Sequence, residues 1–132
     1  MVFDTSAIIA IVFDEPEREP FLRTIARSFD LAVSAMTLYE TSIVAFGKKP
    51  DQLVLRKIEN LLTEFGVMIV PLDADGARLA RDAYLRFGKG YHPASLNLAD
   101  CFPYSLAKSR NEPLLFKGGD FLKTDIVPAW RP

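Results

Sequence analysis

The stretch MVFDTSAIIAIVF, residues 1–13, sets two apolar runs on either side of Asp4, Thr5 and Ser6. The first run is short and continuous and predicts a buried strand over residues 2–4. The second predicts a short helix over residues 6–13, with Ser6 as a plausible N-cap. A strand that passes at once into a helix puts Asp4 at the strand's carboxyl end. A carboxylate there is either a cap for the helix or part of a site beyond the sheet.

The same alternation runs through the chain. Helical spacing predicts helices over residues 16–28, 37–46, 51–65, 73–87 and 97–109, and short apolar runs predict strands over residues 31–34, 67–70 and 114–116. Gly47, Gly66 and Gly88 stand where three of the helices are expected to stop. Residues 125–127 are a candidate last edge strand. Short apolar strands between helices predict an α/β fold, with a mostly parallel sheet of four to five strands covered on both faces. In such sheets ligands bind beyond the carboxyl ends of the strands, where the strand order switches direction.

Composition bounds the function. The chain has 132 residues, 49% hydrophobic and 25% charged, which predicts one globular domain over residues 1–132. No apolar run approaches the ~20 residues of a membrane span, and no secretory leader is visible, so no membrane partner and a cytoplasmic location are expected. The net charge of −1 supplies no bulk field for nucleic acid. A polyanionic partner must then be met by a local basic patch or by bound cations. One cysteine, Cys101, and one histidine, His92, exclude an internal disulfide and a four-ligand zinc site of the usual kind.

Three further acids are oddly placed. Glu40, in SAMTLYETSIVAFG (residues 34–47), has Met36, Ile43 and Val44 as its helical neighbours. A carboxylate in an apolar stripe must pair, bind a cation or take up a proton, unless it sits at the stripe's margin. Asp100, in LNLADCFPYSLAK (residues 96–108), lies opposite the face expected to be buried, Leu98, Phe102 and Leu106. The helix dipole alone would favour it there, and Asn97 is a candidate cap. Asp120 follows the strand over residues 114–116 and the turn KGGD, so its address matches that of Asp4. Singly, each has an ordinary explanation. On a parallel sheet all four can converge on one edge, where their repulsion would raise their pKa values. A hard divalent cation such as Mg²⁺ or Mn²⁺ relieves that conflict and takes oxygen ligands.

These residues come in an order that resembles the PIN-domain ribonucleases, specifically the VapC-type toxins of bacterial toxin–antitoxin pairs. The matching stretches are MVFDTSAIIAI with FDEPE, SAMTLYETSIV, ARLARDAYLRFGKGYHPASLNLADCFPYSLAK, EPLLFKGGDF and TDI, nearly the whole chain. The resemblance implies a three-layer α/β/α PIN-like fold and a Mg²⁺-dependent endoribonuclease, with Mn²⁺ as a substitute ion. It also implies an RNA substrate, a small antitoxin that blocks the site, and a toxin homodimer. Mapped by motif, the family's acids fall on Asp4, Glu40, Asp100 and Asp120, with Asp4, Asp100 and Asp120 as metal ligands. The family's early hydroxyl, which supports the first acid, falls on Thr5 or Ser6, with Ser6 favoured.

The chain departs from the family in Ala99, where glycine is frequent, and in Gly119, where Asn or Asp is common. Pro103 falls inside the predicted helix, where it would cost ~3 kcal/mol or more. Either that helix starts later or it bends, and both would move Asp100. The alternative function is therefore a catalytically impaired scaffold that binds a partner or RNA. A receiver-type phosphoacceptor domain is a further alternative, but it wants adjacent acids after its first strand and has no use for Glu40.

Around the site, Arg86, Lys89 and Tyr91, in and before the loop GKGYHPAS, are expected to form an RNA-facing lip, with Tyr91 stacking on a base. Lys117 either reaches a phosphate or pairs with a site acid. AIIAIVFDEPE (residues 7–17), TSIVAFGKKPDQLVL (41–55) and LLTEFGV (61–67) carry more apolar residues than a small sheet needs. They predict a homodimer face and a groove for an amphipathic antitoxin helix.

Overall fold

Val2–Phe3 form the first strand, β1, and α1 (Thr5–Val12) begins two residues later. There follow α2 (Arg18–Ile25), β2 (Ala32–Ser34), α3 (Ala35–Lys48), α4 (Gln52–Glu64), β3 (Met68–Val70), α5 (Ala74–Phe87), α6 (Cys101–Arg110), β4 (Leu114–Leu115) and a 3₁₀ turn, Phe121–Lys123. The computed structural model describes residues 1–131.

The strands form one four-stranded sheet in the order β3-β2-β1-β4, and all three pairings are parallel. Val2 lies between Ala32 and Leu114, and Phe3 between Val33 and Leu115. Successive side chains on a strand face opposite ways, so these six residues split evenly. Phe3, Val33 and Leu115 join a core with Ile8, Phe21, Ile25, Val54, Ile58 and Leu62, beneath α1, α2 and α4. Val2, Ala32 and Leu114 join a second core with Ala80, Ala83, Phe87, Leu96 and Tyr104, beneath α5 and α6. The result is the expected three-layer α/β/α arrangement. A receiver-type order would set β1 between β2 and β3; here β1 lies between β2 and β4. The chain leaves β1 to one side for β2 and β3 and returns to the other side for β4, which puts the switch point at β1.

Several boundaries differ from the expectations. Asp4, not Ser6, is the N-cap of α1: its backbone is extended and its side chain accepts from the Ser6 amide. Helix α3 runs through Gly47 to Lys48. Pro50 explains the stop better, because the residue before a proline is driven out of helical conformation, and Lys49 is extended. Residues 125–127 form no strand; Leu114 instead makes one parallel bridge to Pro128. Helix α6 begins at Cys101 rather than at Asn97. Pro103 is therefore its third residue, where its missing N–H belongs to donors that no helix satisfies internally. The later start also changes the buried face. Leu98 is 73% exposed, whereas Cys101, Tyr104, Ser105 and Ala107 face inward.

Gly66 ends α4 as the pattern predicted. It has φ +63°, its N–H donates to the Thr63 carbonyl, and the Val67 N–H donates to the Leu62 carbonyl. This pair of bonds is a Schellman motif. A Cβ at Gly66 would meet open space, so Gly66→Ala tests backbone strain alone. It should lower stability by about 1–2 kcal/mol in urea unfolding.

Candidate active site

Asp4 answers to two elements at once. Its amide donates to the Leu115 carbonyl at 3.0 Å, an extension of the β1–β4 ladder. Its Oδ2 accepts from the Ser6 amide at 2.9 Å and from the Ser6 hydroxyl. The Ser6 hydroxyl accepts in turn from the Lys117 amide at 2.9 Å, just beyond β4. Ser6 thus ties the end of β4 to the Asp4 carboxylate. Asp4 is 5% exposed, and burial pushes its pKa above the ordinary value despite the Ser6 hydrogen bonds.

Glu40 stands on α3, half-buried, and accepts a hydrogen bond from the Thr5 hydroxyl. The apolar stripe expected around it is differently placed. Ile43 and Val44 are 59% and 38% exposed, and the buried residues of α3 are Thr37, Thr41 and Ala45. Glu40 therefore borders a face of threonine hydroxyls. Its pKa is raised chiefly by burial; the Thr5 hydrogen bond opposes this and the Asp4 charge adds to it.

Asp100 closes a turn with Asn97. The Asn97 side-chain oxygen accepts from the amides of Ala99 and Asp100, at 2.7 and 3.0 Å, and Asp100 Oδ2 accepts from the Asn97 amide at 2.8 Å. This reciprocal pattern is that of a capping box, set one step ahead of α6. The Asp100 pKa is pushed up to about 6, first by burial and then by the charges of Asp4, Glu40 and Asp120, against the Asn97 hydrogen bond. Asp120 is exposed and leads into the 3₁₀ turn. The charges of Asp4, Glu40 and Asp120 thus all act on Asp100.

Among the described residues none of the four makes an ion pair with Lys, Arg or His. Lys117 turns away from them and bridges Glu15 and Glu17 at 2.9 and 2.8 Å. Nor, among the described residues, do three or more His, Cys, Asp or Glu side chains form a ready-made cage for one ion. The donors present are hard oxygens throughout. They fit a small divalent cation that keeps several of its waters.

The other expected contacts divide. Lys89 is exposed, and Tyr91 is exposed and packs edge-on to Tyr84. Arg86 pairs with Asp125 at 3.0 Å and lies over the Phe87 ring, so its charge is already engaged. Asp125, read as a turn or edge-strand residue, also accepts from the Tyr104 hydroxyl at 2.6 Å. Cys101 is buried, with its thiol pushed up to about 11 by burial and by Asp100, which fits a core role. The residues that sequence reading passed over are Thr37 and Thr41. Their signal was present in T-x-x-E-T, which puts both on the helix face that Glu40 adjoins.

A parallel α/β sheet with its switch point at β1, and a buried Asp4 just beyond that strand's carboxyl end, defines the general class. The particular family follows from comparison. The PIN domain model matches residues 1–127. The Mycobacterium bovis VapC ribonuclease Mb2780c is 41% identical over 131 residues, covering 98% of both chains. Ribonuclease VapC of Mycolicibacterium smegmatis is 43% identical over 130 residues, covering 96% of this chain and 98% of its own. The chain belongs to the PIN-domain family, in its VapC ribonuclease branch. The same fold recurs in Mycobacterium tuberculosis VapC20, a Sarcin-Ricin loop cleaving toxin (TM-score 0.79, 17% identity, full coverage of both chains). It recurs also in a toxin–antitoxin complex from Klebsiella pneumoniae (TM-score 0.73, 19% identity, 99% and 98% coverage).

Proposed function

We propose that this protein is a divalent-metal-dependent endoribonuclease toxin that hydrolyses RNA and is restrained by a cognate antitoxin. The observation that carries the reading is that Asp4, Glu40 and Asp100 each accept a hydrogen bond that holds the carboxylate without an ion-pair partner among the described residues, in a chain matched by the PIN domain model over residues 1–127. Asp4, Asp100 and Asp120 would hold the ion. Bound there, Mg²⁺ or Mn²⁺ supplies positive charge against the phosphate and makes a water a better nucleophile. Ser6 holds Asp4, the Asn97 turn holds Asp100, and Thr5 holds Glu40. Glu40 orients the attacking water. Lys89 and Tyr91 meet the RNA strand, and Arg86 and Lys117 contribute charge at the margin once their carboxylate partners yield.

Partner binding is read from exposed apolar surface. Tyr39, Ile43 and Phe46 on α3 and Leu53 on α4 are 63%, 59%, 41% and 58% exposed. This supports a homodimer face and an antitoxin groove in the segment over residues 41–55, with Tyr39 just before it. By contrast, Ala7 to Ile11 are all buried in the chain's own core, so that segment has little apolar surplus for a partner. Among the described residues no helix is long and apolar enough to cross a membrane, and we place the protein in the cytoplasm with its RNA substrate.

Purified protein incubated with cellular RNA should cleave it in Mg²⁺ or Mn²⁺ and stop in EDTA. The fragments should carry 5′-phosphate and 3′-hydroxyl ends, since water is the nucleophile. Undiminished cleavage in EDTA would remove the metal from the mechanism, and cyclic phosphate ends would replace water by the RNA 2′-hydroxyl as nucleophile.

A further inference from the structure

Behind Glu40 lies a buried group of hydroxyls. Thr5, Thr37 and Thr41 are 8%, 1% and 0% exposed. Valine would fill the same space without a polar atom, and burying hydroxyls costs free energy unless they bond. Among the described residues the Thr37 hydroxyl has no partner, and the hydrogens of Thr5 and Thr41 can be followed one by one. An ionised carboxylate only accepts, so the Thr5 hydroxyl must donate to Glu40 Oε2. Thr5 Oγ1 is then left as an acceptor. The Thr41 hydroxyl stands 3.2 Å from it and can donate. Thr41 also lies 2.7 Å from the Thr37 carbonyl, the usual i−4 acceptor for a helical threonine. Thr41 has one hydrogen, so it is shared between the nearer acceptor, α3's own backbone, and the more distant Thr5 oxygen at the start of α1.

The geometry points to Thr41 as a positioning residue for Glu40. Through Thr5, it fixes the rotamer in which one Glu40 oxygen is committed to the protein and the other is left for the reaction. Thr41 itself is fully enclosed and touches no substrate. Its action on cleavage rests on the nuclease reading above, while its action on the Glu40 rotamer does not.

Thr41→Val keeps the shape and removes the hydroxyl; Thr41→Ser keeps the hydroxyl. For RNA cleavage in Mn²⁺, Thr41→Val should lower kcat about tenfold and leave KM within about twofold, and Thr41→Ser should restore kcat to within about twofold of the parent. Mn²⁺ affinity, measured by calorimetry without RNA, should stay within about twofold in both variants, because the ion's acids are elsewhere. An unchanged kcat in Thr41→Val, a serine variant as slow as the valine one, or lost Mn²⁺ binding overturns the proposal. Crystal structures supply the readout that needs no activity. Glu40 should sit in one rotamer against Thr5 in the parent chain and should leave it, or occupy several rotamers, in Thr41→Val. An unmoved Glu40 in that variant also overturns the proposal. A parent chain that cleaves no RNA in Mn²⁺ defeats the nuclease reading instead, and the rotamer comparison still decides the role of Thr41.

Discussion

Asp4→Asn lowers RNA cleavage by at least about 10³-fold and leaves the protein cooperatively folded. The two halves of that result come from two jobs held by one side chain. As N-cap of α1, Asp4 accepts from the Ser6 amide and hydroxyl. Asparagine is as good a cap as aspartate, and its carbonyl oxygen can take both bonds. As a proposed metal ligand, Asp4 brings charge that asparagine lacks. The charge is not what stabilises the fold, because burial raises the Asp4 pKa and so disfavours the ionised form. Asp4→Ala should lose the cap as well, at about 1 kcal/mol of stability. Cleavage rates beside urea unfolding midpoints for the two variants separate cap from ligand. Normal cleavage by Asp4→Asn would take Asp4 out of the mechanism.

The same duality explains what could be read from the sequence. Strand ends and helices were legible because burial on both faces forces short, wholly apolar runs such as Val2-Phe3 and Leu114-Leu115. The addresses of Asp4 and Asp120 then followed from the parallel order. Boundaries were less legible where two signals competed. Gly47 looked like a stop, but a single glycine costs a helix only ~1 kcal/mol, and Pro50 decides the end. Pro103 looked like damage only because the helix was assumed to start at Asn97. Once the Asn97–Asp100 turn stands outside α6, the proline is at home. The neighbours of Glu40 were misjudged because hydrophobicity was taken to mark the inward face. In fact α3 turns Ile43 outward and Thr37 and Thr41 inward. Buried polar residues such as these break the pattern that sequence reading depends on. The partner of Lys117 was not legible in residue spacing, since Glu15 and Glu17 meet it only through the packing of the loop after α1 against β4.

Without metal, the protein should lose stability as pH rises from about 4 to about 7, and Mn²⁺ should restore it at the upper end. Asp100 carries the argument: its pKa rises from 3.8 to about 6 on folding, and those of Asp4 and Glu40 rise as well. For an acid raised in this way, the folded protein holds its proton where the unfolded chain has released it. The unfolded state therefore binds fewer protons across the window, and stability falls with rising pH. The penalty is absent below about pH 4 and complete above the folded-state value. For Asp100 alone the two-unit rise sets an upper bound of ~3 kcal/mol. Glu15, Glu17, Glu112 and Asp125 are shifted the other way, held low in ion pairs and hydrogen bonds. Their contribution is lost only as pH falls below the ordinary carboxylate range, so it does not cancel the slope above pH 4. Asp100→Asn removes the Asp100 part of that slope. The metal-free variant should be more stable than the parent at pH 7 and should gain little from Mn²⁺. The parent should gain more from Mn²⁺ at pH 7 than at pH 5, where protons compete for the same oxygens. Thermal unfolding from pH 4.5 to 7.5, in EDTA and in Mn²⁺, reads all of this. A flat metal-free profile together with no Mn²⁺ shift would mean that the four carboxylates do not share a neighbourhood.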